Sequence, residues 1–266
     1  MGFPHSQRQE LIQYLKGLRD QIILAFESLD PGFSFQRTLW DYHQEGGGEM
    51  AVIRGHQFEK GAVNWSGVGG ASFPMDDGKG RFFATGISLI THMSNPHAPT
   101  VHMNLRFIET EGGHWFGGGY DLTPMGFPYP DDTTHFHHVA KQSLDPFGEE
   151  LYPKFSQNAR EYFYIPHRKK ERGVGGLFFD HYNTGDFERD KQVWQNVGNT
   201  FLEAIIPIYR KRINQKYSTE EREKQLASRA HYVEYNLLYD RGTKFGFQSG
   251  GNPDAILCSM PPLVKW

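Results

Sequence analysis

The sequence predicts a single α+β domain. Apolar residues recur at helical spacing near the N-terminus and again in the second half, while the stretch between alternates apolar and polar residues. No internal repeat and no low-complexity linker separates the two patterns, so strands and helices are expected to share one core across residues 1–266. The first helix starts at Ser6, with Gln9 three residues on as a capping-box partner. It carries Leu11, Leu15, Leu18, Ile22 and Phe26 on one face and ends near Asp30-Pro31-Gly32. Between Gly46 and Gly80 glycines alternate with short apolar pieces such as Ala51-Val52-Ile53, which reads as strands separated by turns. Residues 81–123 form a strand-rich block, in which Gly117-Gly118-Gly119 marks a bulge, a close approach of backbone to ligand, or a plain turn.

After Asp131-Asp132 the pattern is helical to about Tyr164, and a loop over 166–176 leads into a strand at Leu177-Phe178-Phe179-Asp180. One long helix is expected next, striped by Val193, Val197, Phe201, Ile205 and Ile208 and ending in Arg210-Lys211-Arg212, where positive charge suits a helix C-terminus. Ser218 and Glu221 form a second capping-box pattern, opening a short charged helix to about Ser228. Strands are then expected over 231–240 and 244–248, with one more over 255–259.

Composition narrows the function. Aromatic residues make up 15% of the chain, with 21 Phe and 13 Tyr, so rings must supply much of the buried area; this fits both an aromatic core and a pocket for a large flat ligand. A net charge of -3 and the lack of any basic run interleaved with aromatics argue against nucleic acid. No window approaches the roughly 18 apolar residues of a membrane span, and Met1-Gly2-Phe3 opens no leader-like segment. The expected setting is the cytoplasm, or the mitochondrion for a chain whose leader has been removed. The lone cysteine, Cys258, forms neither an internal disulfide nor a metal site by itself.

Three segments offer chemistry. Residues 101–107 alternate strictly, so Val101, Met103, Leu105 and Phe107 share one strand face and His102, Asn104 and Arg106 the other. That second row sets an acid–base group beside an amide and a guanidinium fork, suited to an anionic ligand; a solvent-facing polar row has the same pattern. On the preceding strand Ser88 and His92 share a face and are candidates for the same site. Asp240, followed by Arg241-Gly242, reads equally as a turn brace or as a catalytic carboxylate. Among the 13 histidines, His135, His137 and His138 cluster, yet no His-Glu-x-x-His or Cys/His spacing occurs; a two-histidine, one-carboxylate oxygenase stays open.

Taken together, Gly86-Ile87-Ser88-Leu89 with His92, the run from Pro99 to Phe107, and Trp115-Phe116-Gly117-Gly118-Gly119 resemble the signature of oxygen-dependent coproporphyrinogen oxidases. Pro146-Phe147-Gly148, Tyr162-Phe163-Tyr164, His167-Arg168, the run from Arg172 to Asp180, Tyr232-Val233-Glu234-Tyr235-Asn236-Leu237, Tyr239-Asp240-Arg241-Gly242-Thr243 and Ser259-Met260-Pro261-Pro262-Leu263 continue the likeness in order along nearly the whole chain. The resemblance implies a large antiparallel sheet flanked on both faces by helices, a cleft over the sheet, and a homodimer. It implies coproporphyrinogen III and O2 as substrates, with no cofactor required. Ser88, Asn104 and Arg106 would hold the substrate, His102 would donate a proton, and Asp240 is the candidate base or ion partner. His92, His102, His137 and His167 occupy positions carried as divalent-metal ligands in bacterial relatives.

Three departures from the family pattern stand out. Gly250-Gly251-Asn252 replaces a substrate-binding Gly-Gly-Arg, so a carboxylate contact is expected to be missing there. Ser228-Arg229-Ala230-His231 keeps only Arg229 of a more basic run. Relatives are also expected to continue past Trp266 with a helix that supports the dimer. Two rivals follow from the residues: a porphyrin-binding protein without turnover, and a metal-dependent oxygenase built on the four histidines.

Overall fold

The computed structural model describes residues 5–73 and 80–266, so the opening Met1-Gly2-Phe3 and residues 74–79 of the glycine-rich stretch lie outside the described residues. Seven strands form one antiparallel sheet in the order β1-β2-β3-β4-β5-β6-β9. They are β1 (Gln36–Asp41), β2 (Glu45–Ile53), β3 (Phe58–Gly70), β4 (Phe82–Met93), β5 (Thr100–Thr110), β6 (Gly113–Thr123) and β9 (Gly176–Tyr182). A two-residue ladder of β7 (Tyr164–Ile165) and β8 (Lys170–Glu171) interrupts the expected 166–176 loop. The architecture is the expected α+β.

The alternation in β5 sorts the sheet's two faces. Val101, Met103, Leu105 and Phe107 are buried in the main core with Ile87 and Leu89 of β4. That core is completed by α1 (His5–Glu27), α2 (Pro130–Leu144), α4 (Phe187–Asn199) and α5 (Phe201–Arg212), while α3 (Leu151–Tyr162) packs along β9. The stripe Leu11, Leu15, Leu18, Ile22 and Phe26 is buried as its spacing requires. On the opposite face, Ala62 and Ile90 meet Tyr232 and Cys258 under a cover of α6 (Thr219–Leu238), α7 (Arg241–Gln248) and α8 (Pro253–Leu257). Helices therefore flank both faces.

Six local expectations are corrected. Helix α1 already includes His5, so Ser6 lies inside it and is not its cap. The long helix is two helices meeting at Thr200, whose hydroxyl donates back to the Asn196 and Val197 carbonyls and competes with the main-chain ladder. Within α5, Pro207 cannot bond the Glu203 carbonyl, which instead accepts from His135 Nε2 at 3.0 Å. The Ser218–Glu221 capping box is present, yet the helix it opens does not stop at Ser228. It runs to Leu238, so residues 231–240 are mostly helix rather than strand. Residues 244–248 likewise fall in α7, and residues 255–257 fall in α8. Alternating tyrosines and Val233 imitated a strand, but no Gly or Pro breaks residues 219–238, and the buried set Leu226, Arg229, Ala230, Val233 and Asn236 has helical spacing.

Candidate active site

Between the polar sheet face and the α6–α8 cover lies a cleft of about 420 Å³, within the range of about 300–1,000 Å³ common for small-molecule sites. Ser88, His102, Asn104, Arg106 and Asp240 all line it, as do Gly251 and Asn252. One end is aromatic, with Trp40, Tyr42, Phe73, Trp115 and Phe245. The other end is polar.

Strand register builds the polar end. Ser88 lies opposite Asn104, and His102 lies opposite Asp121 on β6. His102 Nδ1 is 2.9 Å from Asp121 Oδ1; because an ionised carboxylate only accepts, Nδ1 carries the hydrogen and Nε2 is left as the second functional nitrogen. Asp121 is itself held by Arg172, whose Nη2 donates to both carboxylate oxygens at 2.7 and 2.8 Å. Rings of Phe163, Tyr232 and Tyr235 surround the Arg172 guanidinium at 4.2–4.8 Å from centroid to Cζ. Burial pushes the Asp121 carboxyl up, but Arg172 and His102 outweigh it and hold the group below the usual carboxylate range.

Arg106 lies opposite Gly117, and the ladder between β6 and β9 shifts register beside it, which fits the bulge among the three readings of the glycine triplet. A β-carbon at Gly117 would sit 2.9 Å from Arg106 Nε, so the missing side chain gives the guanidinium its path across the strand. Arg106 Nη1 donates to Asn104 Oδ1 at 2.8 Å, and Nη2 pairs with Asp180 Oδ1 at 2.8 Å. Arg241 reaches the other Asp180 oxygen at 3.4 Å. Two cations thus share one carboxylate at the cleft wall.

Asp240 closes the site from the helical side. As the N-cap of α7 its Oδ2 accepts from Thr243 N and Oγ1 at 2.7 and 2.8 Å, while Oδ1 accepts from Tyr162 Oη at 2.8 Å. Burial raises its pKa, but these donors and nearby His102 more than compensate and keep it below the ordinary aspartate value. Both sequence readings of Asp240, as cap and as chemical group, fit this geometry.

The remaining candidates spend their polar groups on the fold. Asn252 spends its side-chain oxygen capping α8, at 2.9 Å from Asp254 N, and a side chain on Gly250 would meet the His43 ring at 3.2 Å. Arg229 is buried against Glu59 and the Met93 and Leu263 carbonyls, where it ties α6 to the sheet. The four histidines of the metal reading turn to separate partners. His92 bonds the Ser259 carbonyl, His102 bonds Asp121, His137 bonds Tyr152 Oη and the Val174 carbonyl, and His167 bonds Tyr239 Oη and Glu234. Among the described residues no group of three His, Cys, Asp or Glu side chains is arranged to hold a metal ion, so the set does not fit one.

His92 carries a pH prediction instead. Burial, with Arg229 and Lys60 nearby, lowers its pKa to about 3, against about 6.5 in an unfolded chain. The unfolded state therefore binds the extra proton between these values. The stabilisation is complete above about pH 6.5 and declines by up to about 1.4 kcal/mol per unit as pH falls toward 3. His92→Gln retains a donor for Ser259 and should flatten the denaturant-midpoint profile between pH 7 and pH 5; an unaltered slope would assign the acid sensitivity elsewhere.

Sequence reasoning missed Tyr162, Arg172, Asp180, Asn236 and Arg241 as cleft groups, and Asp121 as the buried carboxylate behind His102. Those five cleft groups stood inside the family motifs, but their pairings span up to 79 residues and need the folded chain. A sheet-floored cleft with an oriented imidazole, an ionised carboxylate and two guanidinium groups defines an acid–base enzyme for an anionic, otherwise apolar small molecule. The chain matches the family described as coproporphyrinogen III oxidase over residues 10–266. It is 44% identical to the oxygen-dependent coproporphyrinogen-III oxidase of Coxiella burnetii (strain RSA 331 / Henzerling II), over 95% of this chain and 86% of that protein. It is 43% identical to the enzyme of the same name from Rickettsia bellii (strain OSU 85-389), over 98% of this chain and 99% of that protein. The chain belongs to the coproporphyrinogen III oxidase family.

Proposed function

We propose that the cleft carries out the oxidative decarboxylation of coproporphyrinogen III, with the chain acting as an oxygen-dependent coproporphyrinogen III oxidase. The observation that supports the site assignment most directly is the convergence of His102 and Arg106 on one strand, β5, with Asp240 at a helix cap, on one cleft. Each reacting propionate, as R–CH2–CH2–COO⁻, combines with O2 and one proton to give R–CH=CH2, CO2 and H2O2. Two propionates react in turn, giving protoporphyrinogen IX. The porphyrinogen supplies the electrons, so no metal or organic cofactor takes part in this reading.

Asp240 is the base for a pyrrole N–H, which an ionised, fixed carboxylate suits. The resulting electron-rich ring reduces O2, and the peroxide formed removes hydrogen from the propionate as CO2 leaves. His102, with Nδ1 committed to Asp121, serves as proton donor through Nε2. Ser88 and Asn104 hold the substrate on the sheet face. Arg106 and Arg241 take the unreacted carboxylates, which supports a cleft that does without an arginine at Asn252. The aromatic end shields the macrocycle from water. The proposed setting is the cytoplasm, in keeping with the free thiol of Cys258, and the proposed form is a homodimer, which sedimentation of the purified chain measures.

Arg106→Ala should raise KM roughly ten- to hundredfold, because a charged hydrogen bond contributes about 1.5–3 kcal/mol and its loss also leaves Asp180 facing the substrate carboxylate. An unchanged KM would contradict that role. Oxygen-electrode traces should give two O2 consumed for each porphyrinogen converted; a ratio far from two would contradict the balanced reaction above.

A further inference from the structure

We propose that Tyr162 is a positioning residue for this reaction, its hydroxyl aiming the Asp240 carboxylate and its ring aiming the Arg241 guanidinium. The inference rests on the reading of Asp240 as the base. Tyr162 ends α3, whereas Asp240 begins α7, so the contact joins two elements across the cleft wall. The phenol donates to Asp240 Oδ1 at 2.8 Å and accepts the Arg241 backbone N–H at 3.2 Å. Its ring lies flat on Phe178, with centroids 3.9 Å apart and planes 11° from parallel, and the Arg241 guanidinium sits 4.9 Å from the ring centroid. Tyr235 Oη fixes the Tyr162 carbonyl at 2.6 Å.

The two bonds to Asp240 Oδ2 come from Thr243 and belong to the helix cap itself; they set where the carboxylate sits on α7 but leave its rotation about the side-chain axis to other contacts. Tyr162 supplies the contact from outside α7. Burial pushes its hydroxyl up to about 12, so it remains a hydrogen donor at working pH. Its ring meanwhile gives Arg241, which is half-exposed, a face to rest on while the guanidinium reaches toward Asp180. Base and carboxylate-binding cation are thereby oriented by one side chain. Catalytic geometry of this kind is sensitive, since misplacement by about 1 Å can cost about a hundredfold in rate.

The test compares Tyr162→Phe, Tyr162→Leu, Asp240→Asn and the double variant Tyr162→Phe/Asp240→Asn in aerobic turnover of coproporphyrinogen III. Tyr162→Phe keeps the stack on Phe178 and should lower kcat roughly tenfold or more with KM within about twofold of the parent. Tyr162→Leu removes the ring as well and should raise KM in addition. In the Asp240→Asn background, Tyr162→Phe should cause no further loss, because its effect passes through the carboxylate. Parental kcat in Tyr162→Phe, or the same fold-loss in both backgrounds, overturns the inference. Asp240→Asn at the parental rate would instead overturn the reading of Asp240 itself, so the two failures are distinguishable.

Discussion

Asp240→Asn is expected to lower kcat by roughly 10²- to 10⁴-fold while leaving the fold intact, the range typical for loss of a positioned acid or base. Asparagine caps a helix about as well as aspartate, so the bonds from Thr243 and the start of α7 should persist. What disappears is an ionised carboxylate able to take a proton, a charged state that burial opposes and the surrounding donors preserve. Asp240→Ala would mix this loss with about 1 kcal/mol of cap stability and is the less informative variant. The comparison requires kcat at saturating substrate together with the thermal midpoint. A near-parental kcat with an unchanged midpoint would remove Asp240 from the chemistry.

The second large effect is on stability. Arg172→Met should destabilise the chain by about 3–5 kcal/mol, because it leaves the Asp121 carboxylate buried without its cation. Both side chains are only 2% exposed, so solvent cannot replace the lost partner. Methionine fits the space among Phe163, Tyr232 and Tyr235, which limits the cavity contribution. Changing Asp121 to Asn in the same chain should recover part of the loss, since no uncompensated charge then remains. Denaturant melts of the two variants decide this; a loss below about 1 kcal/mol in Arg172→Met would mean that His102 or water stabilises Asp121 sufficiently by itself.

The sheet and half of the site were legible in sequence because a half-buried antiparallel strand writes its faces into alternate residues. His102, Asn104 and Arg106 stood on the cleft side, and Val101, Met103, Leu105 and Phe107 in the core, as the period of two requires. The Ser218–Glu221 cap was legible for the same local reason. The C-terminal cover was not. Tyr232, Val233, Tyr235 and Tyr239 have strand propensity and strand-like alternation, and only the packing of α6 against both Ile90 and Arg172 resolves the segment as helix. Asp240 was singled out as a residue but set at the end of a strand, where the structure has a helix cap. The Asp121–Arg172 pair and the sharing of Asp180 between Arg106 and Arg241 depend on register and on a bulge, which the linear pattern at Gly117 signals without saying which side chain crosses it.

The four histidines expected as metal ligands give a sharper contrast. His92, His102, His137 and His167 are all present, yet each imidazole is engaged by different neighbours, and His102 is oriented by a carboxylate and a buried arginine. Orientation of an imidazole by protein groups supplies what acid–base chemistry needs from it.

Aerobic conversion of coproporphyrinogen III by the purified, chelator-treated chain, with vinyl product and hydrogen peroxide followed together, tests the account at its centre. Protoporphyrinogen IX with two equivalents of peroxide is the result expected of a cleft that uses O2 alone and tolerates Asn252. Bound substrate without vinyl product or peroxide would contradict it and make the chain a porphyrin-binding relative that does not turn over, while activity regained only on adding a divalent metal would contradict the metal-free chemistry.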